Sequence, residues 1–460
     1  MFSGRDIIYI SSIEWSFLWQ GHQEIARRLA EAGNRVLYVE NMGVRAPSLR
    51  DAGRVALRLR RWAAAARSQG VREVAPNIYV CSPLVMPPFG PRWRRELNRR
   101  LLLPAIRRAA RRLGMRDPLV WTYLPTDTTL DLISLMRGPR GGVVYYCVAD
   151  FSQLTPHAER LRESERETVE ASDVVFTNCS TLTRRFAHWN PHVHVFPFGV
   201  NLESFPLDAG GPSELFGSGP HPAPSSAVNG RPGADEGGGA ASPASPASPA
   251  SPASPASGLD ALPRPVIGYV GGMHRHVDFG LLGEMARARP DWSWVCVGVL
   301  QTDVRELASL PNVYLLGQKP HGELAEYIRR FDVCIVPYVN SVYTETVVPT
   351  KINEYLAVGK PVVSTDLPPI REFNEEHGVL LTTEARADLF LGAVERALKL
   401  PKDRATILRR RRVAEQAEWG RRLEAMTRLF EERLRAKSGG APESDEGAAK
   451  RRRTASLKRG

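Results

Sequence analysis

The chain has 460 residues, 43% of them hydrophobic, which is enough for two or three domains with cores of their own. Lysine and arginine exceed aspartate and glutamate by 62 to 50, and the net charge of +12 favours an anionic partner: a nucleotide, an acidic lipid or a nucleic acid. The five cysteines are scattered without a Cys-x-x-Cys, so we expect neither disulfides nor zinc, and a reducing compartment fits. We also expect no signal peptide and no membrane-spanning helix.

In chain order, apolar strands alternate with helical patterns in both halves. The first half predicts strands 7–10, 35–40, 119–123, 143–148, 174–177 and 194–197, with helices 21–32, 128–135 and 157–171. The second half predicts strands 265–270, 294–299, 313–316, 333–337 and 361–364, with helices 279–288, 324–330, 350–358 and 387–398. Strands that are apolar throughout indicate parallel sheets covered on both faces. We therefore predict an α/β fold of two Rossmann-like, doubly wound domains that face a cleft.

Two low-complexity segments divide the chain. Residues 207–262 are rich in proline, alanine, serine and glycine and predict a disordered linker, and residues 438–460 predict a disordered basic tail. The folded parts are then an N-terminal domain at 1–206 and a C-terminal domain at 263–400. A long helical stretch at 405–435 carries one apolar stripe, so segment 401–437 either packs back across both domains or lies on the surface.

The most informative stretch is 349–363, which reads as a short helix, a glycine turn and a buried strand. Lys351 lies in the first turn, where the helix dipole disfavours a cation unless an anion is bound there as well. Glu354 lies three residues later on roughly the same face, where a carboxylate can accept hydrogen bonds from a ribose diol. The helix thus offers a diphosphate contact and a sugar contact, although a surface Lys–Glu pair has the same spacing.

Five short segments are informative as an ordered set. They are 196–201 (Phe-Pro-Phe-Gly-Val-Asn), 266–272 (Val-Ile-Gly-Tyr-Val-Gly-Gly), 310–317, 331–337 and 349–363. In this order and spacing they resemble the family 4 glycosyltransferases of the two-Rossmann-domain (GT-B) type, over nearly all of residues 5–206 and 263–436. The resemblance implies that the C-terminal domain binds a nucleotide sugar and that the N-terminal domain binds the acceptor.

The resemblance also implies roles for particular residues. Glu354 matches the ribose-binding second glutamate of the family's Glu-x7-Glu motif. The first glutamate falls on Thr346, with Glu345 one position away. Glu345, Thr346 or the backbone amides of residues 347 and 348 are therefore the candidates for the contact to the donor sugar.

A glycine loop follows the first strand of the second half. Backbone amides of Gly271 and Gly272 are placed to cradle phosphate. By resemblance, Arg275 and Lys351 neutralise the diphosphate leaving group; the alternative for Arg275 is a solvated loop residue. Transfer needs fixed positive charge at the diphosphate, and no metal is required if these two cations supply it. We accordingly expect no cofactor beyond the nucleotide-sugar co-substrate.

The first half contributes three candidates for the cleft. Asp150 ends a predicted strand, where it could bind hydroxyl groups or act as a base, or merely cap a turn. Trp19 and His22 lie between the first strand and the first helix, at the predicted cleft mouth. Aromatic rings there suit sugar stacking, and they may equally serve packing.

Two basic segments carry interleaved apolar residues. Residues 92–116 hold ten arginines against one glutamate, and 54–67 is similar. Such surfaces bind anionic lipid headgroups, although an arginine-rich helix face without a partner would look the same. We find no recognised nucleic-acid module and expect no nucleic-acid partner.

These observations favour a cytoplasmic, retaining glycosyltransferase, peripheral on the inner face of the membrane. It would move a sugar from a nucleotide-sugar donor to a glycan or lipid-linked glycan in cell-envelope or exopolysaccharide biosynthesis. One alternative is another nucleotide-sugar enzyme of the same architecture, such as an epimerase. The other is a non-catalytic, membrane-associated scaffold, because the first glutamate of the motif is displaced.

Overall fold

The computed structural model describes residues 1–40, 42, 71–83, 85–138, 141–207 and 256–437. The predicted basic tail, the basic segment 54–67 and most of the predicted linker lie outside these residues. The described chain forms two sheets, each covered by helices.

The N-terminal domain is built on a sheet in the order β3-β4-β2-β1-β5-β6-β7-β8. Its strands are β1 Asp6–Ile10, β2 Arg35–Val39, β3 Val71–Ala75, β4 Ile78–Cys81, β5 Leu119–Thr122, β6 Val143–Cys147, β7 Val174–Thr177 and β8 Val193–Val195. Its helices are α1 Gly21–Glu31, α2 Arg92–Leu97, α3 Leu103–Arg112, α4 Asp127–Met136, α5 Ala158–Ala171 and α6 Ser180–Phe186. A π-helical turn, Asn98–Leu102, joins α2 to α3. The pairings are parallel except that β3 runs antiparallel to β4.

The C-terminal domain is built on a parallel sheet in the order β11-β10-β9-β12-β13-β14. Its strands are β9 Val266–Val270, β10 Ser293–Val297, β11 Val313–Leu315, β12 Val333–Val336, β13 Val362–Thr365 and β14 Leu380–Thr383. Its helices are α7 Phe279–Ala288, α8 Arg305–Ala308, α9 Leu324–Arg330, α10 Lys351–Ala357, α11 Pro368–His377 and α12 Ala387–Leu398. This strand order is that of a dinucleotide-binding Rossmann domain.

The end of the described chain crosses between the domains as two helices, α13 Arg404–Gln416 and α14 Trp419–Lys437. The prediction of one continuous helix over 405–435 is wrong. The break has a local cause, because the Val200 amide donates to the Ala417 carbonyl and the Trp419 amide donates to the Val200 carbonyl. Val413 and Ala414 join the C-terminal core. The apolar stripe of α14 joins the N-terminal core with Trp419, Leu423, Met426 and Phe430.

Several elements escape the sequence patterns, among them β3, β4, α6, α8, α11 and β14. β3 is a charged, partly exposed edge strand, and β4 pairs with it across a two-residue turn. α11 begins with Pro368 and Pro369, which are compatible with the first turn of a helix, and no helix was predicted here. β14 is a short edge strand that is buried only at its first residue.

Among the described helices, none combines the length and the apolar character that crossing a membrane requires. The five cysteines are buried and free.

Candidate active site

A cavity of about 910 Å³ lies between the two domains. Ser12, after β1, lines it from one side, and Gly271 and Tyr338, after β9 and β12, line it from the other. Chain order reverses at β1 and at β9 in their respective sheets. Ligands of doubly wound sheets bind beyond the carboxyl ends of the strands at such reversal points. The cavity therefore lies where both folds would bind a ligand.

Lys351 is the buried cation of the C-terminal wall. It is only 7% exposed, and its Nζ donates to the Tyr338 hydroxyl over 2.6 Å. Nζ also lies 5.0 Å from the ring centre of Tyr269 and 4.8 Å from that of Tyr338. Its partners among the described residues are thus a phenol and two ring faces rather than a carboxylate. Because a buried ammonium without an anionic partner is costly, this position is suited to receive an anionic ligand.

The glycine loop brings the backbone against this ammonium. Gly271 has a φ of +142°, and a Cβ there would lie 2.8 Å from Cε of Lys351. Gly298, at φ +154°, allows β10 to pass so close that a Cβ would overlap the Gly271 carbonyl. Gly272 faces the amide of Gln301. Any side chain at Gly271 would fill the space beside the cation, so the glycines keep it open to the cavity.

Glu354 and His321 form a pair on the same wall. Oε1 of Glu354 lies 3.8 Å from Nε2 of His321, and both residues line the cavity. Burial of His321 lowers its pKa, but the nearby carboxylate of Glu354 outweighs burial, so the pKa of His321 is raised overall. The sequence analysis did not identify His321. The one indication was its position after β11, because residues that follow a strand of a parallel sheet can reach the ligand site.

The structure turns His274 rather than Arg275 toward the cavity. Arg275 is exposed, and its Nε lies 3.4 Å from Nε2 of His276; it is not among the lining residues. His274 lines the cavity, and burial, followed by the charge of Lys351, lowers its pKa to about 4. A neutral imidazole at this place can hydrogen-bond a ligand without adding charge. His274 is not among the site candidates that the sequence suggested.

Glu345 and Thr346 do not line the cavity. They lie in a single turn of 3-10 helix, Thr344–Thr346, which leaves Glu345 exposed and Thr346 buried. The Thr346 hydroxyl accepts a hydrogen bond from the Asp150 amide across the domain boundary, at 3.1 Å. Val347 and Val348, whose backbone was the remaining candidate for the sugar contact, do line the cavity.

Asp150 is held in a buried network of charges. Oδ1 accepts from the Ser152 amide and hydroxyl at 3.0 and 2.6 Å, and Oδ2 pairs with Arg185 at 3.0 Å. Arg185 also pairs with Glu165 at 3.0 Å. Burial opposes ionisation, but the hydrogen bonds and Arg185 prevail and lower the pKa of Asp150. Asp150 does not line the cavity. These contacts favour the turn-capping interpretation of Asp150 over a catalytic one.

Trp19 and His22 both lie in the N-terminal wall of the cavity. The Trp19 indole donates to Glu24 at 3.1 Å. His22 is 3% exposed, its Nε2 lies 3.2 Å from the Ser12 hydroxyl, and its ring centre lies 4.0 Å from that of Tyr123. Burial lowers the pKa of His22 to about 3, so the ring is neutral. Its Nδ1 is buried and has no hydrogen-bond partner in the described part of the chain.

No group of three or more His, Cys, Asp or Glu side chains within the described ranges is arranged to hold a metal ion.

Sequence comparison identifies a known domain in the second half. Residues 264–399 match the family model described as Glycosyl transferases group 1. A relative from Bacillus subtilis (strain 168), described as the putative teichuronic acid biosynthesis glycosyltransferase TuaH, is 33% identical over 158 residues. That alignment covers 34% of this chain and 40% of the length of the relative. The resemblance to a GT-B glycosyltransferase is confirmed by these matches and by the fold of the solved structures below.

Solved structures with the same architecture span almost the whole chain. Sucrose-phosphate synthase from Thermosynechococcus elongatus gives a TM-score of 0.65 at 16% identity, over 94% of this chain and 100% of that one. HepE from Anabaena, solved in complex with UDP, gives 0.59 at 13% identity, over 93% and 100%. An α,α-trehalose-phosphate synthase (UDP-forming) from Burkholderia vietnamiensis gives 0.59 at 13% identity, over 95% and 100%. At such identities the likeness shows the fold, and it confirms the predicted pair of Rossmann-like domains.

Proposed function

We propose that this protein transfers a sugar from a nucleoside-diphosphate sugar to a hydroxyl of a glycan or lipid-linked glycan, with retention of configuration. The observation that carries the proposal is the ammonium of Lys351, buried beside an open glycine loop with a phenol as its hydrogen-bond partner. The match of residues 264–399 to a glycosyltransferase family supports it. The relative named for teichuronic acid biosynthesis supports an acceptor in a cell-envelope polymer.

Lys351 would act on the leaving group. When the bond between the anomeric carbon and the diphosphate breaks, negative charge grows on the leaving oxygen. A cation already fixed in a water-poor site stabilises that charge without having to reorganise. Tyr338 holds Nζ in position through its hydroxyl, so the positive charge is directed at one place in the cavity. The amides of Gly271 and Gly272 would share the diphosphate with it.

Glu354 and His321 would bind the nucleoside. A carboxylate accepts both hydroxyl hydrogens of a ribose diol, and His321 beside Glu354 would orient it. The names of two structural neighbours include UDP, which supports a nucleoside diphosphate as the group recognised here.

Two of the titratable groups on the N-terminal wall, His22 and Glu24, are poorly suited to a reaction with inversion; Glu14 also lines this wall. A reaction with inversion needs a base to remove the acceptor proton on the face opposite the leaving group. His22 is a poor base because its pKa is lowered to about 3. Burial opposes ionisation of Glu24, but its ion pairs with Arg27 and Arg28 outweigh burial and lower its pKa. In the retaining route the acceptor oxygen bonds to the anomeric carbon on the leaving-group side, the carbon–diphosphate bond breaks, and a diphosphate oxygen takes the acceptor proton.

The test is a transfer assay with the full chain. UDP, GDP, ADP and CMP conjugates of common sugars are each incubated with and without an envelope-glycan acceptor, and nucleotide release and product anomer are followed by NMR. We expect release from one donor, a product with the anomeric configuration of that donor, and loss of both in Glu354→Ala. Glu375→Ala is the matched control, because Glu375 is exposed on α11 and away from the cavity.

The possible outcomes separate the alternatives. A product of opposite configuration would overturn retention, and a modified donor without transfer would favour an epimerase. If no donor releases its nucleotide and no nucleotide binds, the result would favour the non-catalytic scaffold.

A further inference from the structure

A helical surface beside the cavity exposes apolar and basic side chains together. Trp93 is 58% exposed and Leu101 is 63% exposed, more than any other large hydrophobic residue in the described chain. Both belong to the segment formed by α2, the π-helical turn and α3. Two isolated exposed hydrophobics would need no explanation, but these two lie in one short helical segment.

Positive charge surrounds these two side chains. Residues 92–112 contain nine arginines and one glutamate. That glutamate, Glu96, pairs with Arg99 and Arg100, and Asp131 of α4 pairs with Arg95, so these two carboxylates offset part of the charge. Arg108 and Arg112 are exposed farther along α3. The segment therefore keeps a large excess of positive charge on its solvent side.

Helix α3 has a separate apolar side that packs into the core, so its exposed side is a true surface. Leu103, Ile106, Ala109 and Ala110 pack into the N-terminal domain. Leu101, Arg108 and Arg112 project from the opposite side of the segment. We name the exposed set of Trp93, Arg100, Leu101, Arg108 and Arg112 the docking face.

Asn98 links the docking face to the wall of the cavity. This side chain is 1% exposed and lies in the π-helical turn. Its Oδ1 accepts from the Met86 amide at 2.8 Å, and its Nδ2 donates to the Met86 carbonyl at 3.0 Å and to the Thr128 hydroxyl at 3.3 Å. Met86 and Thr128 line the cavity. The side chain of Asn98 therefore connects the docking face directly to residues of the cavity wall.

The neighbouring cavity wall is apolar. Pro87 and Pro88 line the cavity just before α2, and Phe17, which is 49% exposed, lines it from the loop after β1. Leu154 completes this side. A purely polar sugar acceptor gains little from such a wall, whereas an acceptor with an aliphatic portion would bury it there.

We propose that the docking face binds the surface of an anionic membrane, and that the acceptor is a lipid-linked molecule presented from that membrane. Trp93 and Leu101 would insert at the level of the headgroups, where an amphipathic ring and an aliphatic side chain gain most. The arginines would lie along the same surface with their guanidinium groups at the lipid phosphates. The assignment of the acceptor rests on the proposed function, whereas the assignment of the membrane does not.

The experiment measures sedimentation of the full chain with vesicles, in the absence of any donor. Vesicles of phosphatidylcholine alone are compared with vesicles that also contain phosphatidylglycerol. We expect binding to the anionic vesicles that weakens with salt. In the double variant Trp93→Glu/Leu101→Glu we expect the partition coefficient to fall by about ten-fold or more.

The matched control is Val195→Glu/Leu389→Glu, which makes the same change of charge at two exposed hydrophobics outside the docking face. We expect it to bind vesicles as the wild type does. The basic tail is present in every variant, so a difference between variants reports the docking face alone. Thermal melting and binding of a nucleoside diphosphate in solution show that each variant is folded.

Three results would overturn the membrane assignment. They are no binding of the wild type to anionic vesicles, equal loss in the docking-face and control variants, and equal binding of the docking-face variant and the wild type. Binding to heparin or single-stranded RNA that is insensitive to Trp93→Glu/Leu101→Glu, without vesicle binding, would point to a polyanion site instead.

The acceptor assignment has its own readout. We expect the docking-face variant to lose kcat/KM toward a lipid-linked acceptor in vesicles while donor hydrolysis in solution is unchanged. Equal use of a water-soluble glycan and the vesicle-bound acceptor by the wild type would overturn it. Because nucleotide binding is measured separately, a failed proposed function and a failed docking face give different patterns.

Discussion

Two buried charged groups, one on each side of the domain boundary, have opposite surroundings. Lys351 in the C-terminal domain contacts a phenol, two ring faces and a glycine backbone, and it faces the cavity. Asp150 in the N-terminal domain has both carboxylate oxygens occupied by Ser152 and Arg185, and it does not line the cavity. Within the described residues, Lys351 has no carboxylate partner, whereas Asp150 is paired with Arg185.

This difference separates a binding group from a structural group. A charge that is buried and fully paired has its solvation replaced by the protein, so nothing further is needed to hold it. A charge that is buried and lacks a counter-ion costs free energy until an opposite charge arrives. On this reasoning we propose that Lys351 is arranged for a ligand and Asp150 for the fold, although the sequence marks both as site candidates.

The largest expected effect comes from Lys351→Met. Transfer should fall by about 10²–10³-fold, because a fixed positive charge at the leaving group is lost. Stability should stay equal or rise, because the variant no longer buries an unpaired ammonium. Steady-state kinetics and thermal melting measure the two effects.

Lys360→Met is the control for this prediction. Lys360 is half-buried in the C-terminal domain, and its Nζ donates to the Arg329 carbonyl. Burial lowers its pKa, and it does not line the cavity. The comparison fails if both lysine variants lose transfer equally, or if Lys351→Met unfolds the domain while Lys360→Met does not.

Arg185→Met tests the opposite side of the comparison. It would leave Asp150 and Glu165 buried without their cation, and we expect the free energy of unfolding to fall by about 3 kcal/mol. Transfer per folded molecule should change only a few-fold. Denaturant titration and kinetics at low temperature measure these quantities, with the exposed neighbour Arg184→Met as control. A large loss of transfer at unchanged stability would show that the Asp150 network serves the chemistry.

Glu354→Gln should have a smaller, more specific effect. Losing a charged acceptor for the ribose should raise the KM for the donor by about ten-fold, or ~1.4 kcal/mol, with kcat little changed. The pKa of His321 should fall, because Glu354 raises it and burial lowers it. Donor titration and NMR of the histidine ring measure these changes. An unchanged KM together with an unchanged His321 pKa would remove Glu354 from the nucleoside site.

The smallest effect is a pH dependence of stability at His321. Its pKa in the folded protein is raised, so its pairing stabilises the fold fully below the ordinary histidine pKa and is lost as pH rises through the raised value. The wild type should therefore exceed His321→Gln in melting temperature more at about pH 5.5 than at about pH 8.5, by the equivalent of ~0.5–1 kcal/mol. A difference that grows toward high pH would have the wrong sign for this account.

The sequence predicts most of the fold because the central strands are continuous apolar runs. β1, β6 and β9 are buried along nearly their whole length and were all predicted. β3 and β14 are edge strands with partly exposed residues, so they lack that signal. The break between α13 and α14 depends on Val200, more than 200 residues earlier, which no local pattern contains.

The site is predictable to the extent that it is local. Lys351 and Glu354 share one turn of α10, so their spacing places both at the cavity. Glu345 and Thr346 differ by one position in a 3-10 turn, and only the tertiary structure decides which is buried. The choice of His274 over Arg275 likewise depends on how Met273 pairs with Leu300 across the loop.

The most direct test of the central claim is calorimetric binding of nucleoside diphosphates to three proteins: the wild type, Lys351→Met and Lys360→Met. UDP, GDP and ADP are titrated in turn into each protein. The account predicts that at least one of them binds the wild type and Lys360→Met with the same affinity. We expect it to bind Lys351→Met about ten-fold or more weakly, because the diphosphate loses its ion pair with the buried ammonium. Equal affinity for all three proteins, or no binding to the wild type, would contradict it.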